Sequence, residues 1–330
     1  MKVCIYGAGA IGGQVGAMLA RSGVDVSLVA RGPHLAAIRQ DGLTLINGDD
    51  RFTVRPAATD NPAELGPQDY VFVALKAHSV PGIVDQMQPL FKDDTAVVTA
   101  VNGIPWWYFH ALQGPHEGQR LQSVDPGGRQ WDGIGPERAI GCVVWQAAEI
   151  ADPGVIRLTY GDRMPIGEPD GSLSDRVKTL SKALVGGGMK SPAKKDIRSE
   201  IWMKLWGNLS FNPVSMLTHA TLEQLASDPD TTGTIRAMMV EAQEIAEKLG
   251  VRFPIDVDRR IKGAKSVGAH RTSMLQDLEL GRPMELDALT GVIIELGQHV
   301  GVPTPTIDLV YGLARLRARQ AGSYPEPSHN

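Results

Sequence analysis

Val3-Cys4-Ile5-Tyr6-Gly7-Ala8-Gly9-Ala10-Ile11-Gly12 is the stretch on which the reading of this chain depends. Val3 to Tyr6 is a short apolar run of the kind buried on both faces of a parallel sheet, and a helical pattern continues from the glycines through Arg21. The glycines therefore fall in a strand-turn-helix context with the spacing G-x-G-x-x-G. Gly7 permits the tight turn, Gly9 lets a pyrophosphate approach the backbone, and Gly12 lets the helix pack close to the strand. Gly7, Ala8, Gly9, Ala10, Ile11 and Gly12 are accordingly the expected dinucleotide turn.

The next strand-like run, Asp25 to Val29, ends in Ala30-Arg31. A carboxylate at that point would hold the ribose 2′-hydroxyl of NAD, whereas an arginine suits the 2′-phosphate of NADP. No Asp or Glu lies close after Val29, so NADP(H) is the expected cofactor, with Arg31 as a contact. Weaker strand signals lie near Leu43–Ile46 and Arg51–Val54. Tyr70–Ala74 reads as a buried strand ending in Leu75-Lys76, and Ala96–Thr99 as another, followed by Val101-Asn102-Gly103. Ligands of doubly wound sheets sit at the carboxyl ends of strands, where Arg31, Lys76 and Asn102 all fall.

Further along, Trp106-Trp107-Tyr108-Phe109 reads as packing rather than as a stacking platform. Gln119–Trp131, rich in Gly and Pro, reads as a loop. Ala139–Gln146 and Val155–Tyr160, separated by Asp152-Pro153-Gly154, read as a hairpin closing the first domain. Leu173–Val185 reads as a helix stopped by Gly186-Gly187-Gly188.

After Ile197 strand-like runs cease and long helical patterns take over. The expectation is an α/β Rossmann-type dinucleotide-binding domain over residues 1–195, followed by an all-α substrate-binding and catalytic domain over 196–330. The stretch from Ser199 to Pro213 is the most informative of the second half. On a helix, Lys204, Asn208 and Asn212 lie four residues apart and drift by about 40° each, forming one polar stripe opposite Trp202, Trp206 and Leu209. Periodicity alone favours an ordinary amphipathic helix with its polar side in water. However, the stripe holds one cation and two amides, although Asn is a poor helix former, and Ile201, Leu205 and Phe211 hem it in. Lys204 thus reads as a positioned acid. Pro213 removes the donor for the Leu209 carbonyl and is expected to kink the helix. Thr232–Leu249 is a further helical pattern, and the tail from Gly322 is expected to be loose.

Composition narrows the partners. The 330 residues carry 33 basic and 37 acidic side chains, a net charge of -4, with no bulk attraction for nucleic acid or anionic membrane. Two cysteines argue against a disulfide framework and for a reducing compartment, and the eight histidines show no metal-ligand spacing. No run approaches the roughly eighteen apolar residues of a membrane span. A small molecule in the cytoplasm is the expected partner. A homodimer stays open, since no residue pattern fixes the assembly.

Taken together, these motifs resemble the ketopantoate reductases (2-dehydropantoate 2-reductases). The resemblance rests on the glycine fingerprint, Leu75-Lys76-Ala77, Asn102-Gly103, Trp202-x-Lys204-Leu205-x-x-Asn208-x-x-x-Asn212-Pro213, and Ser273-Met274-x-x-Asp277 with Glu285 twelve residues after the serine. It implies reduction of the 2-oxo acid 2-dehydropantoate to pantoate by NADPH. Lys204 then matches the proton donor and Asn208 and Asn212 match substrate contacts. Ser273 matches a contact to the substrate carboxylate, and Glu285 an acid near the nicotinamide and the substrate hydroxyl. Arg31, Lys76 and Asn102 match cofactor contacts, and Ala147 one more. Two departures bear on which 2-oxo acid is taken. His270 stands at a substrate position where some members have Asn, and Thr218-His219-Ala220-Thr221 offers no counterpart to a further substrate asparagine. The alternatives are a reductase of another branched 2-oxo acid, a related 3-hydroxy acid dehydrogenase, and a non-catalytic NADP sensor, which would need none of Lys204, Ser273 and Glu285.

Overall fold

Residues 1–325 are described by the computed structural model. Their strands are β1 (Lys2–Tyr6), β2 (Asp25–Val29), β3 (Leu43–Asn47), β4 (Asp50–Val54), β5 (Ala57–Thr59), β6 (Tyr70–Val73), β7 (Ala96–Thr99), β8 (Ala139–Cys142), β9 (Ala147–Asp152), β10 (Val155–Tyr160) and β11 (Ile166–Gly167). One sheet has the order β11-β8-β7-β6-β1-β2-β5. Its pairs are parallel from β8 through β5, and β11 closes the edge antiparallel to β8. Strand order departs in opposite directions from β1, with β2 on one side and β6 on the other, so the crevice at the carboxyl ends of β1 and β6 is the switch point. β6, β7 and β8 are buried throughout, and β1 and β2 are buried after an exposed first residue, which is why they read as apolar runs.

A second sheet has the order β4-β3-β10-β9 and packs on the helix Ala10–Arg21. A Cβ added to Gly13 of that helix would lie 2.9 Å from Ile156 of β10. Here the expected hairpin is corrected. Val155–Tyr160 pairs with Ala147–Asp152, whereas Ala139–Cys142 is a parallel strand of the main sheet. The sequence between 139 and 160 contains two strands before the Pro153-Gly154 turn, and Val143–Gln146 carries the chain from one sheet to the other.

The expected loop over Gln119–Trp131 also ends early, because Arg129–Ile134 is helical. Trp131 packs edge-on to Trp106 with ring centroids 6.3 Å apart, and Arg120 pairs with Asp132 at 2.6 Å. Trp106 to Phe109 are all buried, Trp107 donating to the Thr99 hydroxyl at 3.0 Å, so this run is packing.

The chain divides into two units. The first comprises Met1–Val101, Pro105–Arg120 and Gly127–Ile197, and the second Asn102–Ile104, Leu121–Pro126 and Arg198–Asn330. The second is all-α, with helices Ile197–Thr218, Leu222–Leu225, Pro229–Lys248, Val257–Lys265, Ser273–Glu279, Val292–Val300 and Pro305–Gln320, and a π-helical turn at Asp287–Gly291. The α/β Rossmann-type region followed by an all-α region is therefore what the chain forms. The Lys204 helix runs on through Pro213 to Thr218. Its apolar side is fully covered: Trp206 donates to the Met239 carbonyl at 2.7 Å and its ring lies 4.2 Å from Phe253.

The tail from Gly322 is not loose over its described part. Ser323 is buried, its amide donates to Ala318 O at 2.9 Å, and its carbonyl accepts from the Met284 amide at 2.9 Å. The Tyr324 hydroxyl reaches both oxygens of Asp287, at 3.0 and 2.9 Å. Ser and Tyr are held here by partners remote in sequence, which local composition does not reveal. Residues 326–330, the remainder of that expectation, lie outside the described residues.

Candidate active site

In the first unit the three glycines differ in what requires them. Gly7 has φ +98°, and a Cβ there would stand 2.6 Å from Leu75 Cδ2 and 2.9 Å from the Ala74 carbonyl. A Cβ on Gly12 would stand 2.1 Å from Gly7 O. Both glycines are thus required by the backbone itself. Gly9 is not: its φ is -70° and a Cβ would meet no atom within 4 Å. Open space over an unstrained glycine, at the start of a helix without a side-chain cap, is the opening that a pyrophosphate needs.

The flanking strand ends converge on this turn. Gly7 and Ala8 amides donate to Val29 O at 3.1 and 2.9 Å, bringing the segment before Arg31 alongside, and the Gly7 contact to Leu75 does the same for Lys76. Arg31 is exposed, and its guanidinium makes no hydrogen bond or ion pair among the described residues. Lys76 is half-buried. Ala147 begins β9 in the second sheet, paired with Tyr160, with its carbonyl accepting from the Thr159 hydroxyl at 3.0 Å.

His34 ties the turn to the second sheet. Its Nε2 lies 2.8 Å from the Ala8 carbonyl, and the Gly154 amide donates to its Nδ1 at 3.0 Å. These two partners fix the neutral ring with the proton on Nε2. Burial holds its pKa below the ordinary 6.5. A depressed folded pKa means that the unfolded chain takes up the proton first. The stabilisation is complete above about 6.5 and is lost as pH falls from there through the lower folded value. Unfolding free energy measured from pH 8 to pH 5 should therefore carry an acid decline that is flattened in His34→Gln, whose amide can both donate and accept.

In the second unit the Lys204 ammonium donates to Asn102 Oδ1 at 2.6 Å, and Asn102 Nδ2 donates to Glu285 Oε2 at 2.9 Å. The amide is oriented by its charged neighbours, with oxygen toward the cation and nitrogen toward the anion. All three side chains are half-buried. Asn102, read from the sequence as one of three strand-end cofactor contacts, is in this arrangement the link between Lys204 and Glu285. Its segment is held by the Ile104 amide, which donates to Ala288 O at 3.3 Å, and by Gly103 at φ +92°.

Asn212 is buried and Asn208 half-buried, so the stripe is not a solvated face. Neither amide makes a side-chain hydrogen bond among the described residues. Ser273 opens the Ser273–Glu279 helix behind the Thr272 cap and is exposed, as is His270. No hydrogen bond joins either side chain to the Lys204 network. Sequence reasoning missed the supporting groups. Asp287 accepts from Tyr311 at 2.6 Å and from Tyr324, pairs separated by 24 and 37 positions that no local motif connects. Both cysteines are buried and neither forms a disulfide, and burial pushes the Cys4 thiol up to about 12, so it is inert.

A glycine turn at the switch point of a parallel sheet, followed by an all-α unit that pins a lysine ammonium, is the build of a Rossmann-type oxidoreductase. The chain belongs to the ketopantoate reductase family: the profile described as ketopantoate reductase PanE/ApbA matches residues 3–171, and that of its C terminal part matches residues 196–318. The 2-dehydropantoate 2-reductase of Mesorhizobium japonicum is 55% identical over 325 residues, covering 98% of this chain and 100% of that protein. A crystal structure from Ralstonia solanacearum MolK2, assigned as a ketopantoate reductase, superposes with a TM-score of 0.93 at 40% identity, over 98% of this chain and 99% of the other. A D-mandelate dehydrogenase solved with NADH and anilino(oxo)acetate shares the fold alone, at 22% identity and a TM-score of 0.80, over 97% of this chain and 99% of that one. Among the described residues no helix is long and apolar enough to cross a membrane.

Proposed function

We infer that this chain reduces 2-dehydropantoate to pantoate, with a nicotinamide dinucleotide as reductant and NADPH preferred over NADH. The observation that carries the reading is the Lys204–Asn102–Glu285 chain of hydrogen bonds, in a sequence 55% identical over its length to a 2-dehydropantoate 2-reductase. The dinucleotide, when bound, supplies the hydride. The chain's own residues do the rest. Gly7 to Gly12, Arg31, Lys76 and Ala147 hold the dinucleotide in the first unit, which makes residues 1–195 its binding domain.

Residues 196–330 take the 2-oxo acid. Hydride addition to the ketone leaves negative charge on its oxygen, and Lys204 gives that oxygen a proton. Asn102 fixes the direction of the ammonium, and Glu285 balances its charge through the same amide. The free amides of Asn208 and Asn212 hold the polar groups of the substrate without adding net charge. Ser273 and His270 border the substrate on the Ser273–Glu279 side. The His in place of Asn supports a second reading, a different branched 2-oxo acid. Two buried cysteines outside any disulfide fit a reducing cytoplasm.

The test is the loss of NADPH absorbance with a panel of 2-oxo acids, ketopantoate among them, repeated with NADH. Ketopantoate should give the highest kcat/KM, and a higher value for another 2-oxo acid would transfer the assignment to it. NADPH should be favoured by at least about tenfold, since charge-assisted contacts to the 2′-phosphate contribute roughly 1.5–3 kcal/mol. Arg31→Ala should weaken NADPH far more than NADH. Equal losses for the two cofactors would make Arg31 structural only.

A further inference from the structure

Gly207 sits inside the Lys204 helix, three residues after Lys204 and one before Asn208. Glycine weakens a helix interior relative to alanine, so its presence there needs a reason. Gly207 is absent from the positive-φ residues, and the atoms that need its space belong to Arg260. A Cβ added to Gly207 would stand 2.2 Å from Arg260 Nη2 and 2.9 Å from Cζ. The guanidinium thus lies against the helix about 60° round from Lys204, on the flank of the polar stripe.

Burial pushes this guanidinium below its ordinary pKa, and it makes no hydrogen bond or ion pair with any described residue. The acids beside it on its own helix are engaged elsewhere. Asp256 caps the helix by accepting from the Arg259 amide at 2.7 Å, and Asp258 pairs with Arg236 at 3.0 Å. Arg260 is half-buried, so its guanidinium is partly desolvated. Such a cation without a counter-ion is unfavourable, and an anion bound in its fork reduces the penalty. Lys204 and Glu285 carry opposite charges on the two sides of the Asn102 amide, and Arg260 adds a positive charge on the flank of the same helix.

We propose that Arg260, lodged against Gly207, binds the carboxylate of the 2-oxo acid substrate. This rests on the reading of the chain as a 2-oxo acid reductase. The family resemblance gives a carboxylate contact to Ser273, an exposed hydroxyl with no charge to offer. Arg260 supplies that charge from the opposite direction in sequence, and its planar fork matches a carboxylate in two parallel hydrogen bonds.

The test compares ketopantoate with its lactone, in which the carboxylate is closed onto the C4 hydroxyl while the ketone remains. Arg260→Ala should raise KM for the acid by about 10–10²-fold, in line with the loss of a charge-assisted contact. Lactone kinetics and NADPH affinity should stay within about threefold, and added guanidinium should recover the acid. Gly207→Ala, which collides with the guanidinium, should reproduce the loss for the acid alone. So should Arg260→Lys in part, which keeps the charge and stands in if Arg260→Ala does not fold. Parallel loss of acid and lactone, or no change in either, overturns the proposal. If the wild-type protein reduces no 2-oxo acid, the functional reading fails, and calorimetry with pantoate and 2-oxo acids then decides Arg260 separately. Binding by wild type that Arg260→Ala abolishes sustains the site, and absence of binding removes it.

Discussion

Lys204→Ala is expected to lower kcat by about 10²–10⁴ while leaving NADPH affinity nearly intact. The split follows from where charge develops. Before hydride transfer the ketone oxygen asks for no more than a hydrogen bond, whereas afterwards it is an alkoxide, so a proton donor acts in the transition state rather than in ground-state binding. The geometry adds a second expectation. The ammonium is held at 2.6 Å by Asn102, whose nitrogen is spent on Glu285, so its direction is set before the substrate arrives. Asn102→Ala should therefore also lower kcat, less than Lys204→Ala does, because the donor survives but is no longer aimed. Lys204→Arg keeps the charge and cannot readily release a proton, so it should restore substrate binding better than turnover. Rates are best compared in single turnovers, where product release does not mask the chemical step. Near wild-type turnover by Lys204→Ala, with ketopantoate and NADPH saturating, would leave the lysine as a structural pin for Asn102 and send the proton donor elsewhere.

What the sequence made legible was local. The glycine turn, the strands on either side of it and the polar stripe of the Lys204 helix are each written within a dozen consecutive residues, where period and spacing carry the information. The hairpin failed for the opposite reason. Ala139–Cys142 and Ala147–Asp152 are both short extended runs, and only the long-range pairing of the first with β7 tells them apart. The tail was misjudged on the same ground, since the order at Ser323 and Tyr324 comes from Met284 and Asp287. Asn102 shows how a correct local reading stays incomplete. Its position after β7 was legible, but its two side-chain partners lie 102 and 183 positions away. No spacing rule reaches that far. Gly103 was visible as a glycine, but the carbonyl that requires it was not.

That carbonyl makes Gly103→Ala the second large effect expected, a drop of about 10²-fold in kcat/KM with Lys204 and Glu285 untouched. Gly103 has φ +92°, and an added Cβ would stand 2.0 Å from Ala288 O and 2.6 Å from Ala288 C. Both are backbone atoms, so no side chain can swing aside. Ala288 itself is unable to retreat. It belongs to the π-helical turn Asp287–Gly291, and the carboxylate that opens the turn accepts from Tyr311 at 2.6 Å and from Tyr324 at 2.9 Å. Just before it, the Met284 amide is bonded to Ser323 O at 2.9 Å, and a Cβ on Gly291 would already stand 3.1 Å from the Tyr311 ring. The displaced partner is therefore the Asn102 segment, and a shift of about 1 Å breaks hydrogen bonds as short as those to Lys204 and Glu285, which is enough for a loss of that size. The left-handed backbone adds about 1–3 kcal/mol of destabilisation for a residue with a Cβ. Gly114→Ala separates the two contributions, because Gly114 has φ +128° with nothing within 4 Å of its Cβ position. It should lower the melting temperature and leave kcat/KM alone, whereas Gly103→Ala should lower both. A Gly103→Ala protein that keeps wild-type kcat/KM would show that Asn102 reaches its partners without the close approach to Ala288.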